Sequence, residues 1–143
     1  MLSWVTLGLF AVTIVPNAAG VGALDGVAAG VALVLFLAAL VIWAYAFGLA
    51  VVRSARGDDI GVGNLFFLQG SAPRDVRRWL FGALAISVVL AFATAWANAF
   101  AALEPMFPLA LVGLWSARYG TFPARADANR VATKTRPQPG GAR

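Results

Sequence analysis

Residues 27–52 form a stretch that contains no charged side chain. A run of about 18 or more apolar residues is long enough to cross the hydrocarbon core of a bilayer as one helix. A helix of a soluble bundle instead carries a polar face that repeats about every 3.6 residues. Residues 27–52 have no such face, because Trp43 and Tyr45 are their most polar members. The stretch therefore predicts a transmembrane helix.

The composition of the whole chain agrees with a membrane protein. Of its 143 residues, 61% are hydrophobic and only 12% are charged, against about 25% charged in a typical soluble domain. The chain has no cysteine and no histidine, which excludes disulfides, thiolate or histidine metal sites and histidine-dependent catalytic triads. We expect no cofactor, no metal and no enzymatic activity.

Three further apolar stretches accompany the first one. The four predicted spans are residues 2–19, 27–52, 79–96 and 99–117. Trp79 and Trp96 bracket the third span at a separation of about 26 Å, close to a hydrocarbon core of about 30 Å. The predicted fold is therefore an all-α membrane protein, with a four-helix domain over residues 1–119. A cleaved signal peptide is the alternative for the first span, because Ala18, Ala19 and Gly20 resemble a cleavage site.

The basic residues predict the orientation of this domain. All 11 Lys and Arg residues fall into two segments. The first holds Arg53, Arg56, Arg74, Arg77 and Arg78, and the second holds Arg118, Arg125, Arg130, Lys134, Arg136 and Arg143. Basic residues of short loops collect on the cytoplasmic side. We therefore expect a multi-pass membrane protein with loop 53–78 and both termini in the cytoplasm.

Residues 120–143 predict a disordered basic tail. The segment is rich in Pro, Gly, Ala and Thr and nearly lacks bulky apolar residues, so it buries too little surface to fold alone. Its cations are expected near anionic lipid headgroups. Nucleic acid is not a predicted partner, because basic and aromatic residues do not interleave as base stacking requires.

Two series of small residues recur every four positions, and residues with that spacing share a helix face. They are Gly22, Gly26 and Gly30 at the outer start of the second span, and Ala83, Ser87, Ala91 and Ala95 in the third span. Small residues allow helix backbones to approach closely in lipid. We expect these series to pack helices within the monomer or between two copies, although chance is the alternative in a chain so rich in Ala and Gly.

Loop 53–78 is the most distinctive connection. It carries the apolar cluster Leu65, Phe66, Phe67 and Leu68, which is expected to lie in the interface, to re-enter between helices or to dock on a partner. Arg74, Arg77 and Arg78 follow with the spacing of one helix face. Together with Phe66 and Phe67, these arginines are predicted to contact anionic lipid or an acidic partner. Ordinary cytoplasmic anchoring is the alternative for the arginines.

The acidic residues give little sign of catalysis or metal binding. Asp58 and Asp59 are adjacent, so their carboxylates point in different directions, and further oxygen ligands are missing. Glu104 is the best candidate for a transport residue, because Pro105 and Pro108 are expected to break the fourth helix beside it. An ordinary carboxylate of an outer loop is the alternative.

The sequence also carries a resemblance. The stretch GVGNLFFLQGSAPRDVRRWL and the ending GLWSARYGTFPAR are similar to small uncharacterised actinobacterial integral membrane proteins. This resemblance implies a location in a bacterial plasma membrane. It implies no activity, and no functional residues carry over from it. The residues themselves favour an accessory or scaffold subunit of a membrane complex, with a homo-oligomeric small-solute transporter or channel as the alternative.

Overall fold

A computed structural model describes residues 2–68 and 72–125, and within these ranges the fold is all-helical. The α-helices are α1 (Leu2–Ala18), α2 (Asp25–Ala55), α3 (Val62–Phe66), α4 (Arg74–Thr94) and α5 (Met106–Tyr119). Two short 3₁₀ helices, Gly22–Leu24 and Ala99–Leu103, precede α2 and α5. The prediction of an all-α fold is confirmed for the described residues.

Three helical segments are long and apolar enough to cross a membrane, which indicates a membrane protein. They are Gly22–Ala55, Arg74–Thr94 and Ala99–Tyr119. Helix α1 is apolar but shorter. It nevertheless belongs to the bundle, because Phe10 and Ile14 are completely buried among residues of α2 and α5.

The side chains are distributed as lipid requires. Large apolar residues point outward, with Val12 73%, Val41 71% and Phe92 81% exposed. The interior face of α2 is instead lined by small residues, namely Ala28, Ala32, Ala39, Ala46 and Ala50. A soluble protein of this size rarely exposes so much apolar surface. In lipid, burial of large apolar groups brings no gain, and close backbone packing stabilises the bundle instead.

Contacts at the two ends of the bundle define the directions of the helices. At one end, Trp4 of α1 lies against Trp79 of α4, with ring centroids 5.2 Å apart, and Arg53 of α2 donates to the carbonyl of Ala117 in α5. We call this end the basic end. At the far end, the Asn17 amide donates to the Asp25 carboxylate. The start of α1 and the end of α5 therefore lie at the same end of the bundle.

Local sequence explains two boundaries in this bundle. Pro73 precedes α4, and Asp75 lies in its first turn, where a negative charge complements the partial positive charge of the helix terminus. The predicted fourth span is divided in two. Asn98 caps Ala99–Leu103 by accepting a hydrogen bond from the Phe100 amide at 3.0 Å, and α5 begins only after Pro105.

The first residues of the predicted disordered tail are ordered against loop 53–78. The Asp59 amide donates to the Pro123 carbonyl at 2.8 Å, and the Arg125 amide donates to the Gly57 carbonyl at 2.8 Å. Gly57 has a φ of 104°, a left-handed conformation that glycine adopts without steric cost. The prediction of disorder for residues 126–143 lies outside the described residues.

Candidate functional site

The two predicted series of small residues face opposite environments. Ala83, Ser87 and Ala91 are buried, with exposed fractions of 0%, 0% and 3%. This series therefore packs α4 against the other helices of the monomer, and Ala95 at its end is half-buried.

The glycine series does not form a seam inside the monomer. A Cβ atom added at Gly22, Gly26 or Gly30 would meet nothing within 4 Å. Gly26 and Gly30 instead line an open apolar groove of about 340 Å³ beside Leu9 of α1. Packing inside the monomer, one of the two arrangements expected for these glycines, is therefore wrong, whereas packing between two copies stays a prediction. Spacing by four residues establishes that the glycines share a face, but not that the face points inward.

Glu104 lies inside the bundle rather than in an outer loop. Its side chain is completely buried, and its Oε1 atom accepts a hydrogen bond from Ser87 Oγ at 3.1 Å. Its Oε2 atom is buried and has no hydrogen-bond partner among the described residues. The break between Ala99–Leu103 and α5 places Glu104 there, because the chain enters the bundle as a 3₁₀ helix and turns at Pro105.

The position of Ser87 along α4 indicates how far inside the bundle the Glu104 carboxyl lies. At a rise of about 1.5 Å per residue, Ser87 lies about 12 Å along α4 from Trp79 and about 10 Å from the end of α4 at Thr94. The 3₁₀ helix Ala99–Leu103 spans about 10 Å at about 2 Å per residue. The Glu104 carboxyl therefore lies within the bundle, at the level of Ser87. An ionisable residue at this depth is a candidate functional group.

The apolar cluster of loop 53–78 enters the bundle between α2 and α5. Leu65 and Leu68 are buried, and the Phe66 ring stacks on the Trp43 ring at 4.8 Å and an angle of 22°. On its other side Phe66 lies against Gly113. Of the arrangements that the sequence left open, the structure therefore shows re-entry, which corrects the expectation that Phe66 is free to contact lipid or a partner.

A hydrogen bond and a strained residue accompany this re-entry. Ser116 Oγ donates to the carbonyl of Asn64 at 2.8 Å. Leu68 has a φ of 51°, a left-handed conformation that costs about 1–2 kcal/mol for a residue with a Cβ atom. Its side chain is completely buried. Loop 53–78 is thus held to the helices at Asn64 and Phe66.

Arg53 joins four segments at the basic end. Its Nε atom pairs with Asp58 at 2.7 Å. Its Nη1 atom donates to the carbonyls of Ala117 at 3.1 Å and Gly120 at 3.0 Å, and its guanidinium lies 4.7 Å from the centre of the Phe122 ring. Cations stabilise the carbonyls at the end of a helix. Arg53 therefore fastens the ends of α2 and α5, the loop and the start of the tail.

The other arginines of the loop face outward. Arg74, Arg77 and Arg78 are exposed, and within residues 2–68 and 72–125 none of them forms a salt bridge. A half-open pocket of about 490 Å³ is lined by Arg77, Arg78, Phe67 and Phe81. Phe67 is 56% exposed. Cationic and aromatic groups thus share one surface, which we call the Arg77 pocket and which suits an anionic group with an apolar neighbour.

No protein-family model matches the chain, and no match is found among curated proteins or solved structures.

Sequence reasoning missed the clamp at Arg53 and the partner of Glu104. Arg53 was grouped with the orienting arginines, although it lies in the last turn of α2, where a cation is able to reach helix carbonyls. Ser87 is predicted as a member of a packing series, but its hydrogen bond to Glu104 is not predicted. It is the one hydroxyl among Ala83, Ala91 and Ala95, and a buried hydroxyl requires a partner. That requirement was the available signal.

Proposed function

We propose that the chain is a four-span protein of a bacterial plasma membrane with both termini in the cytoplasm. The proposal is supported by the three spanning segments, by the contact of α1 with α4 at Trp4 and Trp79, and by the position of all described arginines toward the basic end. A reporter that is active only outside the cytoplasm, fused to the C-terminus, is expected to be inactive.

Within that membrane we propose a non-enzymatic role as an accessory or scaffold subunit. The observation that supports it is the Arg77 pocket, in which the exposed Arg77 and Arg78 lie near the start of α4. Phe67 of the same pocket directly follows α3, which is fixed to the bundle through Phe66 and Asn64. A surface ordered before binding loses less conformational entropy on association. The proposed occupant is an acidic, partly apolar segment of another membrane protein.

Neutralising the pocket is expected to release the partner. In the Arg77→Gln/Arg78→Gln variant, the loss of two charged contacts of about 1 kcal/mol each weakens association by about 30-fold. Proteins that copurify with the full-length chain in mild detergent, quantified by mass spectrometry after crosslinking in native membranes, provide the measurement. Raising the salt concentration is expected to weaken the same association in the unmodified protein.

A matched control separates the pocket from general charge. The Arg56→Gln/Arg118→Gln variant removes the same charge from exposed positions at the same end of the bundle, outside the residues that line the pocket. It is expected to retain the partner. Equal loss from both variants, or from neither, would contradict the proposal, and the fused reporter shows whether the orientation of each variant is preserved.

A second candidate is a homo-oligomeric carrier or channel for a small solute. The observation that favours it is the complete burial of Glu104, since transporters place ionisable groups near the middle of the membrane. Proteoliposomes tested with a panel of small cationic and neutral solutes are then expected to take up one of them, and Glu104→Gln is expected to abolish that uptake. Absence of uptake across the panel, or uptake that Glu104→Gln leaves unchanged, argues against this candidate.

A further inference from the structure

The surroundings of Glu104 accommodate a carboxylic acid better than a carboxylate. Within residues 2–68 and 72–125, Ser87 Oγ is the one side-chain donor to Glu104, and Oε2 is buried there without a partner. An ionised carboxylate requires several donors or a nearby cation when water is excluded. A protonated carboxyl needs fewer hydrogen-bond donors, because one of its oxygens carries the proton and itself acts as a donor.

Charged groups on the helices around Glu104 lie at the helix ends. Among the described residues none of them forms an ion pair or hydrogen bond with Glu104. Helices α1 and α3 carry no charged side chain, and Tyr45 of α2 is 54% exposed. The remaining groups are Asp25 and Arg53 on α2, Arg74, Asp75, Arg77 and Arg78 at the start of α4, and Arg118 with Tyr119 at the end of α5.

A small cavity lies close to the segment that carries Glu104, although neither Glu104 nor Ser87 lines it. It has a volume of about 90 Å³ and is lined by Ala91, Phe92, Ala95, Ala102 and Pro105. Pro105 directly follows Glu104 in the chain, and Ala91 lies one helical turn after Ser87. Phe92 is 81% exposed, so the cavity opens on the lipid-facing surface between α4 and Ala99–Leu103. A water molecule occupies about 30 Å³ of liquid, which fits within this volume.

We propose that Glu104 and Ser87 form a proton-binding site inside the membrane, which exchanges its proton through the cavity beside Ala91 and Pro105. The ligand is a proton on the Glu104 carboxyl, and Ser87 is a positioning residue that donates to Oε1. The site does not depend on the accessory role or on the carrier role. A negative result for the proton site would therefore not contradict the proposal for the Arg77 pocket, and a negative result for the pocket would not contradict the proton site.

A hydrophobic carbodiimide tests the site in the full-length protein. The protonated carboxyl adds across a carbon–nitrogen double bond of dicyclohexylcarbodiimide. The carboxyl proton moves to that nitrogen, the carboxylate oxygen bonds to the central carbon, and the acyl group then migrates to nitrogen without a leaving group. The protein in mild detergent or in liposomes is expected to gain one adduct, located at Glu104 by peptide mass spectrometry. Because only the protonated carboxyl reacts, the labelling rate is expected to fall as the pH rises.

Variants distinguish this site from other acids. Glu104→Gln is expected to remove the adduct, while a water-soluble carbodiimide with an added amine still labels Asp59 and Asp75, which are exposed. Ala102→Leu places a larger side chain at an exposed position of the cavity wall and is expected to slow labelling several-fold. Ser87→Ala is expected to shift the pH profile of labelling, and Ser87→Thr, which keeps the hydroxyl, is expected to restore it.

Peptide mapping of the unmodified protein decides the proposal even where a variant fails to fold. No adduct at Glu104 at acidic pH would overturn it. An adduct whose rate of formation does not change with pH would also overturn it. So would an adduct that forms equally fast in the Ala102→Leu variant, provided that the circular dichroism of the variant is unchanged. A pH profile that Ser87→Ala does not move would remove Ser87 from the site.

Discussion

Arg53→Met is expected to lower the free energy of unfolding by about 3 kcal/mol, since hydrogen bonds to charged groups contribute about 1.5–3 kcal/mol each and are not additive. The substitution removes the pair with Asp58, two hydrogen bonds to the carbonyls of Ala117 and Gly120, and the contact with Phe122. The Arg53 side chain is only 26% exposed, so water replaces these partners incompletely. Reversible unfolding in mixed micelles with increasing dodecyl sulfate provides the measurement.

Arg56→Met is the control for that result. Arg56 follows the last turn of α2, three residues after Arg53, and its side chain is exposed. The change removes the same charge and adds the same side chain, and we expect it to alter stability by less than about 0.5 kcal/mol. If the two variants lost equal stability, the effect would belong to charge at the basic end rather than to the carbonyls held by Arg53.

Hydropathy predicted the long helices closely because it reports a local property. The expected span 27–52 lies within α2 (Asp25–Ala55), and 79–96 overlaps α4 (Arg74–Thr94). The differences arise at the ends. Both helices extend into the basic loop, because charged residues remain helical once they lie beyond the apolar core. Asp75 in the first turn of α4 and Arg53 in the last turn of α2 also complement the helix dipole.

The interior was less predictable because it depends on contacts between distant segments. Phe66 meets Trp43 and Gly113, and no local pattern indicates which of two adjacent phenylalanines turns inward. Phe66 enters the bundle, whereas Phe67 faces the Arg77 pocket. Four-residue spacing likewise predicted one face for each small-residue series but not its direction. Ser87 alone carried a further signal, since it introduces a hydroxyl that must find a partner.

The break in the fourth span was predicted, but its consequence was not. Pro105 and Pro108 indicated an interruption beside Glu104. The sequence left open whether the carboxyl would face the outer surface or the interior. In the structure the carboxyl faces the interior, at the level of Ser87. Ala99–Leu103 is a 3₁₀ helix, which rises more per residue than an α-helix, and this length of chain leads to Glu104.

Gly113→Val is expected to expel Phe66 from the bundle and to destabilise the protein by about 2 kcal/mol, within the usual range for overpacking of about 1–3 kcal/mol. A Cβ atom at Gly113 would lie 2.8 Å from Cε1 and 3.3 Å from Cδ1 of Phe66. The ring has little space in which to retreat, because Trp43 stacks on it at 4.8 Å and Phe47 lies 6.0 Å away.

The chain lacks cysteine, so a single Leu65→Cys change reports on this movement. Leu65 is 5% exposed, and a water-soluble maleimide should react slowly with the cysteine until Gly113→Val releases α3. Gly48→Val is the control, since a Cβ atom there meets nothing within 4 Å, and Phe66→Leu should partly rescue Gly113→Val by vacating the ring position. If the cysteine still reacts slowly in the Gly113→Val variant, the bundle accommodates the added methyl groups. Close contact at Gly113 then does not hold the loop in place.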